Sequence, residues 1–266
     1  LELTRFVLIG GAGYIGSKLS KNLVHHGEVI IVDHRPYDDL NVEQFKFDEL
    51  LRNDQLQRYL FTSETTVINL KWYTNPDDYL NSNKNLNSLQ NFIIISLLTY
   101  KMNIKKYIGI GSCAEYSVEG TDRSGLSTQL KSETLYGSAK IIAYRLSKQI
   151  YEERSEKFCW LRLFHVYEYG LRNSKLHGVI ERSVEKNNPI EIKRPEDILD
   201  FIHVRDAISL ISSHIRGASF GAHNVCTGIG QNVLTVATTY AKSLGFSGEI
   251  VCLEQPSKPI IIVGDL

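Results

Sequence analysis

Tyr136 and Lys140 stand four residues apart in the run Thr134-Leu135-Tyr136-Gly137-Ser138-Ala139-Lys140, and the pattern stays helical to about Glu153. On a helix that spacing puts both side chains on one face. An ammonium held near a phenol favours the phenolate and lowers its pKa. A tyrosine tuned in this way gives or takes a proton at an alcohol oxygen near neutral pH. Ser112, just past the apolar run 106–110, is placed to hydrogen-bond the same oxygen. Tyr and Lys at this spacing also occur on ordinary amphipathic helices, so the pair takes its meaning from the rest of the chain.

A second group lies near the start of the chain, in Gly10-Gly11-Ala12-Gly13-Tyr14-Ile15-Gly16. The apolar residues 6–9 lead in and a helical pattern over 15–25 leads out, with Gly27 as its expected stop. Glycines three apart between a strand and a helix let the backbone approach a pyrophosphate, and the helix start offers N–H groups and positive dipole to it. By itself this signal is weak. A second apolar run, 28–32, closes on Asp33, roughly twenty residues past the glycines, where a carboxylate meets the adenosine ribose hydroxyls. Asp33 disfavours a 2′-phosphate and so favours NAD over NADP; Arg35 can accept that phosphate, which leaves NADP open. Asp48, after the short run 45–47, suits either the adenine amino group or a helix N-cap.

The elements that must position these groups alternate along the chain. Residues 6–9, 28–32, 66–70 and 106–110 read as strands, and 50–59, 85–100 and 135–153 as helices. That beat predicts an α/β fold, a doubly wound parallel sheet with helices on both faces and ligands at the carboxyl ends of the strands. The apolar stretch 92–98 is too short to span a bilayer and reads as buried helix. No signal peptide precedes the first strand, so the expected location is the cytoplasm. Formal net charge is zero and charged residues make up 23%, which gives no basic excess for nucleic acid. Cys113, Cys159, Cys226 and Cys252 lack metal-ligand spacing and read as reduced, buried thiols, and no metal site is expected. His203 reads as a structural hydrogen-bonder at the start of a helix.

Taken together, the glycine turn, Asp33, Ser112 and Tyr136-x-x-x-Lys140 resemble the extended short-chain dehydrogenase/reductase family of nucleotide-sugar epimerases, dehydratases and ketoreductases. Three later segments extend the resemblance. They are Leu161-Arg162-Leu163-Phe164-His165-Val166-Tyr167, Asp200-Phe201-Ile202-His203-Val204-Arg205-Asp206 and Asn224-Val225-Cys226-Thr227-Gly228. The resemblance implies a Rossmann-type domain over 1–165 and a small substrate lobe over 166–266, with about 200–227 returning to the core. Gly10, Gly13, Tyr14, Ile15 and Gly16 would hold the pyrophosphate, Asp33 and Arg35 the adenosine ribose, Asp48 the adenine, and Leu70 would line the cofactor. Lys140 would bind the nicotinamide ribose and, with Ser112 and Tyr136, form the catalytic group. Ser112, Cys113, His165, Lys175 and Arg194 would meet a nucleotide-diphosphate sugar. The helices 85–100 and 135–153 would pair across a two-fold axis in a homodimer.

The departures fall on the substrate side. Asn69-Leu70-Lys71-Trp72 replaces the usual His-x-Ala-Ala, and Lys71 and Trp72 either change the wall of the nicotinamide site or fold outward. His165 replaces an Asn, Glu168-Tyr169 a Gly-Pro, and Leu199 an Arg. Relatives continue past the equivalent of Leu266, so either the lobe is short or a tail lies beyond it. Cys113 and Ala114 follow Ser112 where dehydratases carry acid, and Glu115 is one place too far along. The expected reaction is therefore NAD(P)-dependent reduction of a 4-keto-(6-deoxy)sugar nucleotide. Epimerisation is the first alternative, and a non-catalytic NAD-binding protein the second.

Overall fold

The computed structural model describes residues 4–39, 41–118, 124–170, 176–253 and 258–265. Its strands are β1 (Arg5–Ile9), β2 (Glu28–Asp33), β3 (Glu43–Lys46), β4 (Thr65–Asn69), β5 (Lys106–Ser112), β6 (Phe158–Leu163), β7 (His165–Tyr167), β8 (Ile190–Ile192), β9 (Ile198–His203), β10 (Gly221–Val225), β11 (Gly230–Asn232), β12 (Ile250–Cys252) and β13 (Ile261–Ile262). The helices are α1 (Tyr14–Leu23), α2 (Phe47–Arg52), α3 (Asp54–Leu60), α4 (Lys84–Lys101), α5 (Leu135–Ile150), α6 (Leu176–Glu185), α7 (Val204–Arg216) and α8 (Val233–Ser243).

The expected mostly parallel sheet is present, with seven strands in the order β10-β6-β5-β4-β1-β2-β3. β1 pairs in parallel with both β2 and β4. The chain therefore leaves β1 to one side, then returns to build the other, and the glycine turn sits at that switch point, where such sheets bind ligands. Strands β1, β2 and β4 are buried almost throughout because helices cover both faces, which is why they read as continuous apolar runs rather than alternating ones. Val7, Ile30 and Val67 form one core with Phe92 and Ile95 of α4 and Trp160 of β6.

Two compact units divide the chain. The first comprises residues 1–115, 131–162 and 208–223; the second comprises 116–130, 163–207 and 224–266. In the second, β9 pairs with β7, β11 and β13, β8 pairs with β12, and a separate core gathers Ile180, Ile190, Phe201, Val233 and Ala237.

Several local expectations need correction. Gly27 does not cap α1, which closes at Val24; Gly27 is needed because a Cβ there would lie 2.0 Å from the Thr4 carbonyl oxygen. The helix expected over 50–59 is two, broken at Asn53, whose side chain caps α3 by accepting from Leu56 N at 3.0 Å. Asp48 is neither strand end nor N-cap but an exposed residue in the first turn of α2, where an acid suits the helix dipole. The stretch 92–98 is helical but only half buried, with Ile94 and Leu97 exposed. Cys113, Cys159 and Cys226 are buried free thiols, whereas Cys252 is exposed. His203 accepts from Arg205 N at 3.2 Å, the expected structural role.

Candidate active site

The glycine turn has room for backbone and nothing else. Gly10 adopts φ +84°, and a Cβ there would lie 2.8 Å from Lys71 N; at Gly16 one would lie 2.7 Å from Gly10 O. Gly13 is the N-cap of α1 and brings no side chain to its first turn, which also carries no acid. That is the arrangement by which helix starts hold phosphates. Asp33, almost fully buried at the end of β2, is tied to the turn: its Oδ2 accepts from Ala12 N at 3.1 Å. Its Oδ1 accepts from His34 N at 2.7 Å and Arg35 N at 3.1 Å. Burial pushes the Asp33 carboxyl up, but the hydrogen bonds and charge of Arg35 outweigh it, with help from His34, and hold the pKa below its ordinary value. The Arg35 guanidinium lies 3.4 Å from Asp33 Oδ2 and beside Gly13. A cradle that Cβ atoms would fill, closed by a buried carboxylate, fits the pyrophosphate and ribose of a dinucleotide.

The second half of the site lies at the ends of β5 and α5. Thr134 caps α5 by accepting from Gly137 N at 3.1 Å, which starts the helix one residue ahead of Tyr136. Gly137 has no room for a side chain, since a Cβ would lie 2.3 Å from the Ala114 carbonyl oxygen. The Tyr136 ring meets Tyr79 edge-on at 5.0 Å, and the Ser112 side chain is close enough to its phenol to act on its pKa. Lys140 is 3% exposed and donates to the Ile110 carbonyl oxygen at 2.6 Å. Burial lowers its pKa to about 7, against an upward pull from Glu115.

The expected tuning of Tyr136 by Lys140 is not what the geometry produces. Burial raises the Tyr136 pKa above its ordinary value, the hydrogen bond from Ser112 opposes it, and Cys113 and Glu115 add to the rise. The lysine shares the helix face, with its Nζ 6.0 Å from the Tyr136 ring centroid, but its ammonium is turned to Ile110. The phenol is therefore held protonated.

Two groups in this half were not singled out by spacing. Glu115, with no exposed surface, accepts from Ser112 N at 2.8 Å and from Arg162 Nε at 2.7 Å. Trp160 Nε1 also donates to it at 3.1 Å. Arg162 is 2% exposed and stacks over Tyr144 at 4.6 Å. Burial holds the Glu115 pKa above the ordinary carboxylate value in spite of Arg162. The one available signal was Arg162, in a segment already matched to the family; only the fold brings it under Ser112. Trp72 folds inward: its indole lies over Lys140 Nζ at 3.9 Å and donates to buried Asn85 Oδ1 at 2.8 Å. Lys71 turns the other way, its Nζ over the Phe47 ring at 4.3 Å and 3.3 Å from His34 Nδ1.

The first unit thus brings together Ser112, Cys113, Tyr136 and Lys140, and gathers Gly10, Gly13, Tyr14, Ile15, Gly16, Asp33, Arg35 and Leu70 around the turn. Leu70 N donates to Ile9 O at 2.8 Å, so residues 70–72 run from the turn to Lys140. His165 and Arg194 belong to the second unit. His165 is held by β7 with its Nδ1 buried and unpartnered, and burial lowers its pKa. Arg194 pairs with Asp197 and donates to Lys258 O at 3.1 Å. Lys175 lies outside the described residues. No group of three or more His, Cys, Asp or Glu fit to hold a metal occurs among the described residues.

Comparison with known proteins gives the same picture. The profile of the NAD dependent epimerase/dehydratase family matches residues 6–226. CDP-abequose synthase of Yersinia pseudotuberculosis is 26% identical over 210 residues, 78% of this chain and 71% of that protein. The fold is shared with MoeE5 in complex with UDP-glucose and NAD, at 19% identity and TM-score 0.83, covering 98% of this chain and 89% of that one. It is also shared with a UDP-N-acetylglucosamine 4-epimerase from Methanobrevibacter ruminantium M1, at 20% identity and TM-score 0.84, covering 100% and 90%. The chain belongs to the NAD dependent epimerase/dehydratase family, enzymes of the short-chain dehydrogenase/reductase type that use NAD.

Proposed function

We propose that this enzyme reduces a 4-keto-(6-deoxy)sugar carried on a nucleoside diphosphate. The observation that carries the reading is the place of Tyr136, in the first turn of α5 and in the unit that also holds Ser112 and Lys140, where burial pushes the phenol pKa up and so favours its acid form. Reduction of a ketone asks for an acid at the outset, whereas epimerisation begins with oxidation and asks for a base. Bound reduced cofactor supplies the hydride to the carbonyl carbon. Tyr136 donates its proton to the oxygen that becomes the hydroxyl, and Ser112 hydrogen-bonds that oxygen as charge develops on it. Lys140 then serves the nicotinamide ribose and Asp33 the adenosine ribose. Dehydration is disfavoured because Cys113 and Ala114 carry no acid and Glu115 is committed to Arg162.

The second unit is assigned the nucleotide sugar, with His165 serving the sugar and Arg194 the phosphates. A relative named for CDP-abequose favours a nucleoside-diphosphate-linked substrate. Leu86, Ile94 and Leu97 of α4 and Ile142 and Leu146 of α5 are exposed apolar side chains on two helices packed together, which supports a homodimer. Four free cysteines suit the cytoplasm. No helix among the described residues is long and apolar enough to cross a membrane.

The test is mass spectrometry of ligand carried through purification, followed by assay of nucleotide-linked 4-keto-6-deoxysugars with NADH and NADPH. One cofactor oxidised per sugar reduced supports the proposal. Interconversion of two sugars without net loss of reduced cofactor replaces it with epimerisation.

A further inference from the structure

Residues 70–73 form a short strap after β4, pinned at each step. Leu70 N donates to Ile9 O at 2.8 Å and Lys71 N to Asn69 Oδ1 at 3.3 Å. Trp72 Nε1 donates to Asn85 Oδ1, and Tyr73 N to Ser88 Oγ at 3.0 Å. Asn85 is itself locked, giving its amide hydrogens to Tyr79 O at 2.6 Å and Ser82 O at 2.9 Å. The indole has therefore been given one orientation, set by a fully buried partner. In that orientation one face lies 3.9 Å from Lys140 Nζ, while the ring also meets Phe92 at 5.8 Å and Tyr136 at 6.3 Å, both edge to face.

A buried ammonium needs partners in place of water. Lys140 has the Ile110 carbonyl on one side and the indole face on the other, with the Glu115 carboxylate contributing from the element that follows β5. An indole is the best of the aromatic faces for a cation. We propose that Trp72 is a positioning residue for Lys140: its indole takes the place of solvent over the ammonium and fixes that group where the nicotinamide ribose is to be met. This rests on the reading of Lys140 as the residue that serves that ribose. It also gives the departure at Trp72 a function, since a small residue there would leave Lys140 to water.

The test compares binding of NADH with that of ADP, which carries only the adenosine end and reports on the glycine turn alone. Trp72→Leu is expected to weaken NADH about three- to tenfold while leaving ADP unchanged. Trp72→Phe, which restores an aromatic face, should recover most of the loss. Acetylation of Lys140 at alkaline pH, followed by mass spectrometry, should be faster in Trp72→Leu than in the wild type. In a Lys140→Met background, Trp72→Leu should add nothing further, because the two residues act as one unit. An unchanged NADH-to-ADP affinity ratio in Trp72→Leu overturns the proposal if Lys140→Met does lower it. If Lys140→Met leaves that ratio unchanged as well, the reading of Lys140 itself is wrong.

Discussion

At the scale of single residues, the site is set by which groups burial leaves charged. Burial pushes the Tyr136 pKa up, and the same cause lowers that of Lys140 to about 7 against the pull of Glu115. Tyr136→Phe should lower turnover by about a hundredfold or more; NADH affinity should stay near wild type, because in the proposed reaction the phenol acts on the substrate oxygen. Steady-state assays on the recovered substrate, with fluorescence titration of NADH, check both halves. Glu115 is the residue whose loss the structure punishes most directly. Glu115→Ala takes the buried carboxylate away from Arg162, Trp160 and the Ser112 N–H, and is expected to cost about 3–5 kcal/mol of stability. Denaturant unfolding measures this, and a cost below about 1 kcal/mol would mean that the ion pair is not held as described.

At the scale of elements, the strand–turn–helix at Gly10–Gly16 and the start of α5 each depend on close backbone approach. Gly16→Ala places a methyl 2.7 Å from the Gly10 carbonyl oxygen and from Gly11 backbone, atoms that cannot step aside. The expected loss is about 1–3 kcal/mol, together with weakened binding of both NADH and ADP, readable by thermal unfolding and titration. The glycine turn and Asp33 were legible in the sequence because their geometry is local: a turn, a strand end and a spacing. The break between α2 and α3 was not, since the helical pattern runs through Asn53 and only its side-chain cap divides it. Gly27 was read as a helix stop, yet its reason lies in Thr4, more than twenty residues away in sequence. The pairing of α4 with α5 leaves Ile94 and Leu97 exposed. Leu97→Glu should convert a dimer to monomers in analytical ultracentrifugation, and a wild type already monomeric at the same concentration would remove the dimer proposal.

At the scale of the whole molecule, the second unit holds a buried group through which acid acts on stability. In the second, His177 is 3% exposed and stacked on Tyr167 at 4.5 Å. Burial lowers its pKa to about 4, with Glu181 opposing. Its folded form is neutral, while the unfolded chain binds a proton below the ordinary value of 6.5. The stability it contributes is therefore fully present above about pH 6.5 and is lost progressively as pH falls toward 4, by on the order of 2 kcal/mol. Unfolding followed across that window should show the slope, and His177→Phe should flatten it. A slope unchanged in His177→Phe would assign the acid sensitivity elsewhere.

The alternation of strands and helices over the first part of the chain, the glycine turn, the strand-end Asp33 and the shared Tyr136–Lys140 face were legible in the sequence alone, because each follows from a period, a spacing or a local turn. What only the tertiary structure decided is the electrostatic setting of the proposed catalytic group. Spacing predicted that Lys140 would make Tyr136 more acidic; packing turned the ammonium to Ile110 under Trp72 and left the phenol protonated. Glu115, too far along for elimination by count, proved to be the buried anchor of Ser112 and Arg162. A pKa depends on every dipole and void around a group, and those come from separate segments, such as Ile110 and Lys140 or Glu115 and Arg162, that only the folded chain brings together.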